Sequence, residues 1–326
     1  MGKAADDRVQ GIDMNSTVLV ASWSTGLITV NDGMPHQELA NHSVRWVKSD
    51  GHGGAIAIVD GRSLFRRSSD GVWSTIATTK TDLACCVAVG EAIYAGTDDA
   101  QVLRINAAGD IATLPGFEQV PGRDKWYAGT AVIEGKVVGP PLGVRSITAT
   151  SDGSVLLANV HVGGIPRSID AGETWQPTID VDSDVHQVRA HPSYPNIVAA
   201  ASAIGLCISS DGGATWEIEQ RGLHALHCSA VAFAGDHILV SASEGPFAPR
   251  GAIYRRGMGE QGPLARVTGG LPEWLDGRAD TGCIAVNGSA VAIADASGNL
   301  YLSPDGGRSW SLVGKGIPSP SGVLIV

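Results

Sequence analysis

The sequence of 326 residues has little charge, few aromatic residues and no long apolar run. Charged residues make up 17% of the chain and aromatic residues 5%. No apolar segment approaches the ~18 residues that a membrane-spanning helix requires, so we expect no contact with a membrane. The polar first ten residues lack the apolar core of a signal peptide, and the five cysteines are an odd number. We therefore expect reduced thiols and a cytoplasmic protein.

The composition points to an all-β fold of many short strands. The 43 glycines and 16 prolines are spread along the chain, as they are where tight turns join strands. A hydrophobic content of 43% excludes disorder. The formal net charge of −10 argues against a nucleic-acid partner, because an acidic surface repels phosphate.

One motif of the form S-x-D-x-G-x-T/S-W recurs along the chain. It stands at residues 168–175 (SIDAGETW), 209–216 (SSDGGATW) and 303–310 (SPDGGRSW), with a shorter copy at 69–73 (SDGVW). Such a segment suits a β-hairpin, because the Asp carboxylate accepts backbone N–H groups across the turn and Gly takes a conformation closed to other residues. The Trp is large enough to pack between neighbouring sheets.

This motif resembles the Asp-box, or bacterial neuraminidase, repeat of sialidases, sortilin-type receptors, xyloglucanases and photosystem II assembly factors. The resemblance covers about residues 50–310. It implies a β-propeller with one box on the hairpin that joins the third and fourth strands of a blade. It does not indicate a particular function.

Short apolar strands recur at intervals near the ~40–45 residues of a propeller blade, with two longer gaps. Seven of them are found, at residues 18–20, 56–58, 93–95, 155–157, 197–199, 238–240 and 291–293. Each resembles the second strand of a blade, but only six first strands precede them. The apolar C-terminal run 322–326 supplies the seventh. We therefore predict a single seven-bladed propeller domain, residues 1–326, that the C-terminal strand closes.

The predicted fold places the function on one face, called here the top face. Loops between blades, and loops between the second and third strands, share this face, whereas the Asp-box hairpins lie on the opposite one. Two insertions, at 118–144 and 244–280, are expected on the top face. Aligned inner strands place one ring of side chains around the central channel: Arg45, Cys85, Arg145, His186, Ser229 and Gly282.

The leading functional hypothesis is an enzyme of the hydrolase or lyase type that acts on a small, anionic molecule. In it, His161 and His186 serve as acid–base groups together with Glu244 and Asp280. The substrate-binding candidates are Arg45, Arg145, Trp126, Trp274 and Asn159. A divalent metal ion held by His161, His186 and His227 is an alternative, because imidazole and carboxylate suit transition metals.

Two other functions follow from the resemblance. A sialidase needs three arginines, a tyrosine nucleophile and an F/Y-R-I-P motif near the N-terminus, and that motif is missing, so sialidase activity is not expected. The other reading is a non-catalytic scaffold that binds a protein partner, as the assembly factors do. We expect a monomer in either case.

Overall fold

Seven small antiparallel sheets, arranged as the blades of a propeller, form the protein in the computed structural model. The structure describes residues 17–31, 33–128, 131–133, 136–138 and 142–326. The strands of blades 1 to 3 have the following bounds: β1 Val18–Ser22, β2 Gly26–Asn31 and β3 Met34–Glu38; β4 Val44–Ser49, β5 Ala55–Val59, β6 Ser63–Arg67 and β7 Trp73–Thr78; β8 Leu83–Val89, β9 Ala92–Thr97, β10 Val102–Ile105 and β11 Ile111–Thr113.

Blades 4 to 7 follow a two-stranded hairpin made of β12 Ala131–Ile133 and β13 Lys136–Val138. Their strands are β14 Val144–Ala149, β15 Leu156–Val160, β16 Pro166–Ser168 and β17 Gln176–Pro177; β18 Val185–Ala190, β19 Val198–Ser202, β20 Gly205–Ser209 and β21 Glu217–Glu219; β22 His227–Ala234, β23 His237–Ser243, β24 Arg250–Gly257, β25 Ala265–Arg266 and β26 Leu275–Asp276; β27 Ile284–Asn287, β28 Ala290–Ala294, β29 Leu300–Ser303 and β30 Ser311–Gly314; and last β31 Pro320–Ile325. Short 3-10 helices lie at Pro115–Gln119, Arg123–Lys125 and Val181–Ser183.

The second strand of each blade is buried because neighbouring blades cover both of its faces. In β5 every residue from Ala55 to Val59 is buried. Successive side chains of a strand point to opposite faces. Ile56 and Ile58 therefore pack in the apolar cluster shared with blade 3, while Ala57 and Val59 pack in the cluster shared with blade 1. An uninterrupted apolar run is thus the expected signature of these strands.

The C-terminal strand closes the ring, as predicted. β31 is the inner strand of blade 1 and pairs antiparallel with β1, with Val18 opposite Ile325 and Val20 opposite Val323. Val323 and Ile325 join the core shared with blade 7, whereas Leu324 joins the core shared with blade 2. The two ends of the described chain therefore hold one sheet together between two neighbours.

The S-x-D-x-G motifs form hairpins between the third and fourth strands of their blades. In the second copy, Asp211 Oδ1 accepts the backbone N–H groups of Ala214 and Thr215, at 3.0 and 2.9 Å, and Oδ2 accepts the Thr215 hydroxyl at 2.6 Å. The Trp of the first copy is buried, and Trp175 packs edge-on against Phe117 from the connection that follows blade 3. The motif therefore stabilises both a turn and a contact between blades.

The two predicted insertions are described to different extents. Within 118–144, residues 129, 130, 134, 135 and 139–141 lie outside the described part. Within 244–280, β26 adds a fifth strand to blade 6 by pairing with β24.

No helix in the described part of the chain is both long and apolar enough to cross a bilayer.

Candidate functional site

A bulge near the start of the inner strands aims side chains into the central channel. The pairing of first and second strands shifts register at Arg45 in blade 2, Ala84 in blade 3, Arg145 in blade 4 and His186 in blade 5. A bulge adds one unpaired residue and turns its side chain away from the pleat. Blade 3 therefore presents Ala84 to the channel, and not Cys85 as the apolar alignment predicted.

A cavity of about 320 Å³ opens at the top of the channel. Its lining includes Arg45, Arg145, His161, Asp280 and Thr281, with Trp46 at the inner end. Pockets for small molecules begin at about 300 Å³, so this cavity suits a compact ligand.

His161 lies in the tight turn that follows β15. The turn is closed by the Val160 N–H, which donates to Gly164 O at 3.1 Å, and the His161 N–H donates to Gly143 O at 3.4 Å. Tyr127 of the insertion pairs with Val162 beside this turn. Backbone contacts on both sides thus hold the imidazole, which is 8% exposed.

His186 is the bulged residue of β18, and its surroundings define which ring nitrogen carries the proton. Nδ1 lies 2.6 Å from Cys228 O. A carbonyl oxygen only accepts, so Nδ1 donates and the lone pair of the neutral ring resides on Nε2. Ligating histidines in metal sites are oriented by the same kind of contact.

Asp184 completes the group, although it was not among the site residues predicted from the sequence. It ends the 3-10 helix Val181–Ser183 with φ of 45° and ψ of 71°, a left-handed conformation that is uncommon outside Gly, Asn and Asp. Its Oδ1 lies 3.3 Å from His161 Nε2 and 3.7 Å from His186 Nε2. This oxygen is buried and has no aligned hydrogen bond among the described residues. The ligand atoms of the three residues lie within 4.8 Å of one another.

Burial and nearby cations lower the pKa values of two imidazoles at this site, those of His161 and His227. Burial lowers the pKa of His161, and the charge of Arg145 lowers it further, although Asp184 opposes both. Burial and the neighbouring His186 also lower the pKa of His227 to about 4. The His227 ring packs 4.4 Å from that of His186, but His227 is not one of the three residues whose ligand atoms converge.

Arg145 and Asp280 form the wall of the cavity beside His161. Arg145 Nη2 donates to Asp280 Oδ1 at 3.4 Å, and Nε donates to the Thr281 hydroxyl at 3.3 Å. Both contacts are long, and the guanidinium has five N–H donors. Although burial alone would raise it, the pKa of Asp280 is lowered to about 2 by Arg145 and Arg278. Asp280 is therefore a fixed carboxylate and not an acid.

Arg45 forms an ion pair with Asp98, a residue that was not predicted to lie at the site. Its Nη1 and Nη2 donate to the two carboxylate oxygens of Asp98 at 2.5 and 2.7 Å, and Nη1 also donates to Leu83 O at 3.1 Å. The guanidinium lies 5.4 Å from the ring centre of Trp23, an indole that is 49% exposed. This bidentate pair supports Trp23 at the mouth of the cavity.

Two of the other predicted residues are structural. Asn159 is fully buried, shares a hydrogen bond with Ser146, and donates to Val185 O at 2.6 Å, which links blades 4 and 5. Trp126 is 7% exposed and packs against Phe117 and Arg123 beneath the His161 turn.

Two further predicted residues lie on blade 6, away from the cavity lining. Glu244 pairs with Arg250 at 3.3 Å, and Trp274 packs between Arg250 and Arg266. Neither contacts the His161–Asp184–His186 group, so the structure does not bring these two residues to the site.

Several solved structures of low sequence identity share the fold of this chain. The chain is a seven-bladed β-propeller. A GH74 enzyme from Niastella koreensis superposes with a TM-score of 0.58 at 13% identity, over 82% of this chain. A protein described as a 6-phosphogluconolactonase from Bacteroides uniformis superposes with a TM-score of 0.65 at 13% identity, over 96% of this chain and 100% of its own length. The computationally designed protein Ika8 gives a TM-score of 0.56 at 12% identity, over 95% and 87%.

The chain spans 45% of the length of the GH74 enzyme. At these identities the likeness shows the fold alone. The sequence matches no protein-family profile and no curated protein.

Proposed function

We propose that the top cavity is the active site of a hydrolase or lyase in which His161, Asp184 and His186 hold a divalent transition-metal ion. The observation that carries the proposal is the spacing of the three donor atoms. Ligands bound to zinc at ~2.0–2.2 Å in a tetrahedron lie ~3.3–3.6 Å apart. The two separations at Asp184 Oδ1, 3.3 and 3.7 Å, lie within about 0.1 Å of this range, and the ligand atoms of all three residues lie within 4.8 Å of one another.

The chemistry of the donors supports the same reading. Metal ligands must be deprotonated, which here means neutral imidazoles and an ionised carboxylate. The pKa shifts of His161 and Asp184 favour those states. Asp184 Oδ1 is a buried acceptor without an aligned donor, a position that a cation would satisfy.

Three protein ligands and an open position are typical of a catalytic site, whereas structural zinc sites are closed by four ligands. His161 borders the cavity, so a bound ion would face the substrate there. Such an ion would supply an activated water or polarise a carbonyl group.

The remaining residues favour a small anionic substrate, such as a carboxylated ester or lactone. Arg145 lies beside His161 with donors to spare, and it could hold an acidic group or a developing oxyanion. Asp280 keeps the Arg145 guanidinium in place. The exposed indole of Trp23 offers an apolar surface at the mouth.

The likeness of the S-x-D-x-G hairpins to Asp-boxes supports kinship with Asp-box propellers, whose members include enzymes. We place the chain in that group as part of this proposal.

Elemental analysis of protein purified without chelator, followed by zinc titration, tests the proposal. We expect near-stoichiometric metal in the wild type and a loss of affinity of at least about tenfold in His186→Ala and Asp184→Asn. His36→Ala, at an exposed position of β3, is the matched control and should bind normally. Absence of metal, together with no zinc binding below millimolar concentration, would overturn the metal site.

Activity provides the second measurement. With a panel of carboxylated esters and lactones, Arg145→Met should raise KM at least about tenfold while metal content stays unchanged, since a charged hydrogen bond contributes about 1.5–3 kcal/mol. Turnover that survives complete removal of metal would point instead to a metal-free acid–base site at the same histidines.

A further inference from the structure

A second cavity, of about 620 Å³, lies at the opposite end of the channel. Trp46 lines both cavities and is held by its indole N–H, which donates to Cys86 O at 3.1 Å. Turns between first and second strands form the rim of the second cavity, through Pro192, Gly235 and Gly288. This bottom cavity lies apart from the His161–Asp184–His186 group.

Two cations line the bottom cavity without a carboxylate. Lys48 of β4 and Arg189 of β18 both border it, and none of its described lining residues is acidic. Arg189 Nη2 is buried and has no hydrogen-bond partner in the described part of the chain. The ammonium of Lys48 lies 5.1 Å from the ring centre of Trp46, and an ammonium carries three N–H donors.

These two charges are unfavourable as they stand. Burial lowers the pKa of Lys48 well below its usual range, and the charge of Arg189 lowers it further. Burial lowers the pKa of Arg189 to about 10, so this side chain stays charged at neutral pH. Both side chains are half-buried, and a partly desolvated charge without a counter-charge favours a ligand of opposite sign.

Neutral donors stand beside the two cations. Thr148 Oγ1 accepts the Ala190 N–H at 3.2 Å, so its own proton can be donated. Gln187 Oε1 accepts the Val231 N–H at 2.9 Å, and its amide NH₂ group remains to donate. Both residues line the cavity. The site thus combines two cations with two neutral donors.

We propose that the bottom cavity binds a phosphate group between Lys48 and Arg189, either as inorganic phosphate or as part of a small phosphorylated molecule. A dianionic phosphate matches the two charges and offers several acceptor oxygens. The volume leaves space for a substituent on the phosphate. This site does not depend on the proposed metal site.

Calorimetric titration of the full-length protein with inorganic phosphate, at constant ionic strength set with chloride, tests the proposal. The wild type should bind, and Lys48→Met and Arg189→Met should each bind about 10- to 100-fold more weakly, as expected for loss of a charged hydrogen bond. Lys80→Met, at an exposed position, should bind as the wild type does. No binding by the wild type, or equal binding by all variants, would overturn the proposal.

Thermal melting separates lost binding from lost folding. Without phosphate, Lys48→Met should melt at or above the temperature of the wild type, because one of two like charges is gone. Phosphate should raise the melting temperature of the wild type and of Lys80→Met, but not that of Lys48→Met. A Lys48→Met protein that melts lower and still responds to phosphate would contradict the site.

Two further arms identify the source of the anion. If glycerol 3-phosphate binds more tightly than inorganic phosphate and glycerol does not bind, the ligand is a phosphorylated molecule. If inorganic phosphate binds more tightly than glycerol 3-phosphate, the ligand is free phosphate. The segment 1–16 carries Asp6, Asp7 and Asp13. If their combined replacement by Asn tightened phosphate binding, the chain's own acids would be the partner of the cations, and the proposal of an external ligand would fail.

Discussion

Leu324→Ala in the closing strand should destabilise the whole propeller. Leu324 is 8% exposed and packs with Leu19, Val44 and Val47 between blades 1 and 2. Truncation of a buried Leu to Ala costs ~2–5 kcal/mol, the sum of lost transfer energy and the cavity left behind. The unfolding entropy of 326 residues is about 0.7 kcal/mol/K. The melting temperature should therefore fall by about 3–7 °C.

The matched control is Leu312→Ala in β30, the outer strand of blade 7. Leu312 is 43% exposed, so its truncation should cost less than ~1 kcal/mol. Urea unfolding followed by tryptophan fluorescence and by circular dichroism measures both variants. Equal, small losses for Leu324→Ala and Leu312→Ala would refute the view that β31 is a stabilising closure.

Deletion of residues 322–326 extends the same test. It removes Val323, Leu324 and Ile325, and burial of each contributes about 1.5–3 kcal/mol. The sum approaches the whole net stability of about 5–15 kcal/mol that is typical of a domain. We expect a largely unfolded protein at 37 °C, and a melting curve like that of the wild type would show that the ring closes in another way.

Two further predictions concern the hairpins and turns. Asp211→Ala should cost about 1–2 kcal/mol in urea unfolding, since it removes the four hydrogen bonds that the carboxylate accepts. The Thr215 hydroxyl and backbone lower the pKa of Asp211 to about 2. This stabilisation should therefore be present above pH 4 and be lost as the pH falls toward 2, where Asp211→Ala and the wild type should converge. Gly298→Ala should cost about 1–3 kcal/mol more than Gly288→Ala in the same assay. Both glycines have positive φ, but a Cβ at Gly298 would lie 2.0 Å from Ile317 O, whereas a Cβ at Gly288 meets nothing within 4 Å. Equal losses of stability in the two variants would contradict this steric argument.

The repeated motif and the spacing of apolar strands were sufficient to predict the fold. Each blade is a local unit whose second strand is covered on both faces, so its burial appears as a continuous apolar run in the sequence. The closing strand was predictable for the same reason, because six first strands for seven second strands left one position to fill. The strand order also predicted which loops and inner-strand residues face the channel: His161 and Arg145 line one cavity, and the His186 ring lies 5.6 Å from that of His161.

The composition of the site depended on distances that no local pattern encodes. The sequence does not distinguish Asp184 from the neighbouring acids Asp180 and Asp182. In the structure Asp184 has a left-handed backbone, and its carboxylate lies between two imidazoles. A bulge displaced Cys85 from the channel by one residue.

The sequence by itself determined the blades, their number and the strand that closes them, since these follow from local periodicity and from one repeated hairpin. Only the tertiary structure decided which charges meet. Arg45 pairs with Asp98 and Arg145 pairs with Asp280, whereas no described carboxylate lines the cavity that holds Lys48 and Arg189. The physical reason is that burial within a strand is governed by its nearest neighbours, whereas ion pairs around the axis join residues from separate blades.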